Sequence, residues 1–80
     1  MGQAEKDRIE GIIVRKQRER DAVEIKIDRC IKDLNYYSFP SDGIESIECD
    51  KVLQAARELK ELYDRWEELG KEVEKLRAEV

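Results

Sequence analysis

VLQAARELKELYDRWEELGKEVEKLRAEV, residues 52–80, decides the fold. Val52, Ala55, Leu59, Leu62, Trp66, Leu69, Val73, Leu76 and Val80 follow one another at steps of three and four in strict alternation. An α-helix turns once in about 3.6 residues, so these nine side chains fall in one stripe. A stripe that repeats every seven residues is the seam of a coiled coil. No proline interrupts the segment, and Gly70 weakens it by only about 1 kcal/mol.

The same spacing recurs upstream. Ile9, Ile13, Lys16, Arg20, Val23, Ile27, Cys30, Leu34 and Tyr37 form a second seam. Gly11 is expected to loosen its first turns. Between the seams lies Ser38-Phe39-Pro40-Ser41-Asp42-Gly43-Ile44. Pro40 cannot continue a helix and pushes the residue before it out of the α region. Ser41-Asp42-Gly43 is turn chemistry. Asp42 followed by Glu45, or else Ser46, is placed to cap a following helix. The expected fold is all-α: one domain over residues 1–80, with helix 1 over about 3–37, a loop over about 38–45, and helix 2 over about 46–79. A loop this short turns the chain back on itself as an antiparallel two-helix coiled-coil hairpin.

Two registers compete. A long-loop register sets Ile9 against Val80, Ile13 against Leu76 and Val23 against Trp66. It leaves three repulsive flanking pairs, Glu19 with Glu72, Lys26 with Arg65, and Asp33 with Glu58. A short-loop register, one heptad away, sets Ile9 against Val73, Ile13 against Leu69 and Cys30 against Val52. Its flanking pairs all attract: Glu19 with Arg65, Lys26 with Glu58, and Asp33 with Lys51. Each exposed pair contributes only about 0.2–1 kcal/mol, but three reversals of sign favour the short loop. That register leaves Leu76 and Val80 beyond helix 1, needing cover from another chain.

Composition narrows the function. Of 80 residues, 45% are charged, yet 40% are apolar and periodic, which excludes a disordered chain. A net charge of −4 argues against a dedicated nucleic-acid binder and against an acidic membrane surface. The longest apolar run, Ile12-Ile13-Val14, is far short of the ~20 residues of a membrane span. With two cysteines and no secretory segment, the expected setting is the cytoplasm with reduced thiols. No histidine is present, so Cys/His chemistry, a serine triad and the usual zinc sets are excluded. The expectation is a non-enzymatic chain without metal or cofactor.

Four features invite a functional reading. Arg15-Lys16-Gln17-Arg18-Glu19-Arg20-Asp21 has no apolar residue, and Lys16 and Arg20 stand on the seam. This is a polar layer that sets register, with Trp66 offering a cation–π face and Asp64, Glu67, Glu68 and Glu72 neutralising charge. Its alternative is a phosphate-binding patch of Arg15, Lys16, Arg18 and Arg20 on RNA or DNA. Tyr36, Tyr37, Phe39, Ile44 and Ile47 crowd one end of the hairpin. They either close the core or meet a partner protein there, with Tyr36, Tyr37, Phe39 and Ile44 as contacts. Apolar residues off the seam, above all Ile25, Ile31 and Tyr63 together with the overhanging Leu76 and Val80, exceed what two helices can bury. They point to a homodimer that completes a four-helix bundle. Finally, Cys30 and Cys49 come within a turn of each other in the short-loop register, which would permit a regulatory disulfide.

Two resemblances accompany these readings. Glu45-Ser-Ile-Glu48, twelve residues, then Glu61-Leu-Tyr-Asp64 is similar to the metal-binding spacing of the all-α nucleotide pyrophosphohydrolases. The resemblance implies carboxylates on two facing helices around Mg²⁺. Here both halves fall on one expected helix, ~20 Å apart at 1.5 Å per residue, and cannot share an ion within one chain. The helix–Pro40-Ser41-Asp42–helix outline resembles type III secretion needle subunits, from which the heavy charge and heptad-regular helix 2 depart. The reading that results is a small interaction protein, an adaptor, inhibitor or regulator that binds itself and another protein.

Overall fold

The computed structural model describes residues 2–39 and 43–80. Helix α1 spans Gln3–Ser38 and helix α2 spans Cys49–Ala78, with a short 3-10 turn at Ile44–Ser46 between them. The described residues form no strand. The two helices pack side by side as an antiparallel hairpin, a rod of 64 × 14 × 13 Å. No described helix is long and apolar enough to cross a membrane.

Local chemistry sets the ends. Phe39, just before Pro40, is extended at φ −97°, ψ 105°, and its N–H closes the last turn of α1 on the Asn35 carbonyl. Helix 2 starts later than the sequence suggested. Gly43 takes φ 108°, a conformation that favours glycine. The Ser46 backbone N–H and hydroxyl both donate to the Gly43 carbonyl, at 3.0 and 2.7 Å. This closes a separate 3-10 turn, and α2 begins only at Cys49. The expected cap by Asp42 falls outside the described residues. Instead the Glu48 N–H donates to the Tyr37 carbonyl at 3.4 Å, tying the start of α2 to the end of α1.

The core is the seam. Ile9, Ile13, Val23 and Cys30 of α1 and Ala55, Leu69 and Val73 of α2 are buried, and Leu69 is wholly inaccessible. The register, however, is neither of the two expected. Arg20 lies over Trp66, where the short loop would place Leu62 and the long loop Leu69. Tyr37 bonds to Glu48, where the two would place Glu45 and Val52. The helices are thus set about half a heptad from each expectation. Both expected registers seat the Arg20 guanidinium against leucine. The observed one gives this half-buried group an aromatic face and a carbonyl to donate to.

The shift also cancels the overhang. Leu76 packs on the Ile9, Ile13 and Val73 cluster and is partly buried there. Of the expected flanking pairs, Glu19–Arg65 forms at 3.0 Å. Lys51 instead reaches Glu48 at 3.4 Å, and Glu58 faces the Cys30 thiol, whose Sγ lies 3.8 Å from Glu58 Oε2.

Candidate partner-binding surfaces

The polar layer sits inside the hairpin. Lys16 and Arg20 occupy seam positions because the heptad places them there, and α2 supplies each with a partner. Lys16 Nζ donates to Glu72 Oε2 at 2.8 Å. That hydrogen bond holds the Glu72 carboxyl below its ordinary range. The Arg20 guanidinium stands 3.9 Å above the Trp66 ring, and its Nε donates to the Trp66 carbonyl at 3.2 Å. Tyr63 stacks near Trp66, with ring centroids 5.9 Å apart. Arg15 and Arg18 point outward and are exposed, and no ion pair among the described residues includes either. The stretch 15–20 is therefore split: two cations serve the hairpin and two face solvent.

Sequence reasoning missed the part played by Gly70. A Cβ added there would lie 2.7 Å from Arg20 Nη2 and 2.9 Å from Cζ. Glycine leaves the space that the guanidinium fills. The signal was present, because Gly70 lies one turn beyond Trp66 on the flank of the seam.

The tip is open. Tyr36, Phe39 and Ile44 are 77%, 80% and 82% exposed, so they do not close the end of the core. Tyr37 is half-buried, with Tyr36 edge-on at 5.4 Å and Lys51 Nζ 5.3 Å from its ring centre. Tyr36, Tyr37, Phe39, Ser46 and Glu48 line a shallow cleft there.

The residues expected to drive self-association fall in different places. Ile31 and Tyr63 are exposed on the flank of the seam, at 43% and 46%. Ile25 is exposed on the outer back of α1, Val80 lies at the far end, and Leu76 belongs to the hairpin's own core.

Both cysteines are free, Cys30 buried and Cys49 exposed. Half a heptad of slip sets Cys30 opposite the Ala55 turn rather than opposite Val52, which takes away the proximity the disulfide reading relied on. Burial, then the Glu58 carboxylate, pushes the Cys30 thiol above its ordinary pKa. The acidic pattern is spread along the chain: Glu45 lies in the 3-10 turn, Glu48 precedes α2, and Glu61 and Asp64 are within it. Among the described residues no three carboxylates or thiols gather where they could hold a metal ion. No protein family, curated protein or solved structure matches the chain.

Proposed function

We propose that this chain is a non-enzymatic protein–protein interaction module, an adaptor, inhibitor or regulator that works in the cytoplasm with its thiols reduced. The observation that carries this reading is the exposure of Tyr36, Phe39 and Ile44 together at one end of a stiff rod. Large apolar side chains left in water at one place are what a partner's pocket removes from water, and aromatics dominate such contacts. Tyr36 stands in the last turn of α1, Phe39 directly after it and Ile44 in the 3-10 turn, so one end of the hairpin presents all three.

The test is affinity capture with the wild-type chain and with a Tyr36→Ala/Phe39→Ala variant, read by mass spectrometry. The expected result is a protein retained by the wild type and lost by the variant, with equal helicity in the two. Equal retention by both would overturn the tip reading.

A second reading rests on Arg15 and Arg18, the outward-facing cations of the basic stretch. RNA or DNA bound there would dissociate as salt rises, and Arg15→Ala/Arg18→Ala would weaken binding at every sequence. A gel shift over a salt series tests it, and no shift at low salt removes it.

A further inference from the structure

The two sides of the hairpin seam are different surfaces. On one side ion pairs bridge the two helices, Glu19–Arg65 at 3.0 Å among them. On the other side Gln17 of α1 and Glu67, Gly70, Glu74 and Arg77 of α2 surround a single cleft of about 500 Å³. Steps of seven from these residues stay within about 20° of the same face. They lead from Gln17 to Glu24 and Ile31, from Gly70 to Tyr63 and Ala56, and from Glu67 to Lys60 and Leu53. Ile31, Leu53 and Tyr63 are 43%, 52% and 46% exposed on this side.

The hairpin also shows more surface than a chain of its mass should. A compact monomer of 9.5 kDa exposes about 5,000 Å². This one exposes 6423 Å². A rod of 64 × 14 × 13 Å carries this excess along its whole length, and the excess is larger than the ~800 Å² per partner that a stable interface covers.

We infer that this side is the interface with a second copy of the chain, related by a two-fold axis that runs along the rod. The inference rests on reading the chain as an interaction module and adds which face it uses for itself. Charge selects the axis. The row of α1 on this side carries Asp7, Glu10, Asp21, Glu24 and Asp28, with no cation. An axis across the rod would set this row against its own copy, five carboxylates against five. An axis along the rod sets α1 against the partner's α2 and keeps every residue at its own height. By the observed register, Lys60 lies at the height of Glu24 and Asp28 and Arg77 near that of Glu10, while Glu67 lies near Asp21 and Glu74 between Glu10 and Val14, so the wholly acidic row of α1 meets a row of mixed sign. Lys60 already holds Asp64 at 2.8 Å, and its side chain is 73% exposed, so it is free to serve both.

Shape agrees with charge. At one end of the face Ile31 lies level with Leu53 and Ala56, so apolar meets apolar across the axis. Toward the other, Val14, 45% exposed, lies level with the cleft lined by Gly70 and Arg20. The product is a four-helix bundle with antiparallel neighbours.

Sedimentation equilibrium of the full chain tests the inference. The expected mass is twice the monomer's. Ile31→Glu should raise the dimer Kd by roughly a hundredfold, because each dimer loses two buried isoleucines. Its helical circular dichroism should persist, since Ile31 is partly exposed in the hairpin itself. Ile25→Glu, on the back of α1, should leave the mass unchanged. Carbodiimide cross-linking of mixed light and heavy chains should join Glu24 or Asp28 of one chain to Lys60 of the other. A monomer at all concentrations, a dimer indifferent to Ile31→Glu, or inter-chain cross-links confined to other positions would overturn the inference. The Tyr36→Ala/Phe39→Ala variant should dimerise normally, so failure of the tip reading and failure of the dimer are read separately.

Discussion

Arg20 is held by Trp66 twice, through the ring face at 3.9 Å and through the backbone carbonyl at 3.2 Å. A planar guanidinium can do both at once, whereas an ammonium is a point charge that cannot stack. Arg20→Lys is therefore expected to destabilise the hairpin by about 1 kcal/mol. Thermal unfolding followed by circular dichroism checks this. An unchanged melting temperature would mean the contact contributes nothing to the register.

Gly70→Ala sets two effects against each other. Alanine gains about 1 kcal/mol of helix propensity over glycine. Its methyl group would also displace the Arg20 guanidinium, whose Nη2 lies only 2.7 Å from the new carbon. In the wild-type background the gain should be largely cancelled. In an Arg20→Ala background the same substitution should stabilise by about the full propensity difference. A double-mutant cycle reads the coupling directly, and equal effects in the two backgrounds would show that Gly70 is not a seat for Arg20.

The fold was legible because the seam is legible. Nine residues at strict heptad spacing in each half leave little but a coiled-coil hairpin, and Pro40 marks the turn. The register was not legible, because its deciding contact is not apolar. Pairing rules for seams and flanks weigh leucines and exposed charges. They do not weigh one arginine that must find both a ring and a carbonyl. The later start of α2 was missed for a related reason: Ser46 satisfies the Gly43 carbonyl locally and so closes a turn of its own. The tip could be named from its aromatics, but whether Tyr36, Phe39 and Ile44 close the core or stand in water depends on the chain path around the turn, which seam spacing does not describe.

Glu72 carries an acid-side prediction. The hydrogen bond from Lys16 lowers its pKa in the folded chain. A depressed carboxyl contributes stability that is present above its unfolded pKa, about 4.3, and is lost as pH falls through the folded value. The wild type should therefore lose more stability between neutral pH and pH ~3 than Glu72→Gln, which has no proton to take up there. Melting curves of both proteins at the two pH values make the comparison. Equal losses would assign the acid sensitivity to other carboxylates.

Among the described residues Leu69 is the one large side chain with no accessible surface, and the register sets it level with Lys16. Its removal leaves a cavity beside seam positions whose charged side chains are tied to Glu72 and Trp66. Leu→Ala at a buried site costs about 2–5 kcal/mol. A core of this size supplies only about 3–5 kcal/mol in all. Leu69→Ala should therefore leave the chain largely unfolded at 25 °C, visible as loss of helical circular dichroism. Ile25→Ala, at a site 63% exposed on the back of α1, should stay within about 0.5 kcal/mol of the wild type. If Leu69→Ala instead kept a cooperative melt close to that of the wild type, the hairpin would have to draw its stability from contacts outside its own seam.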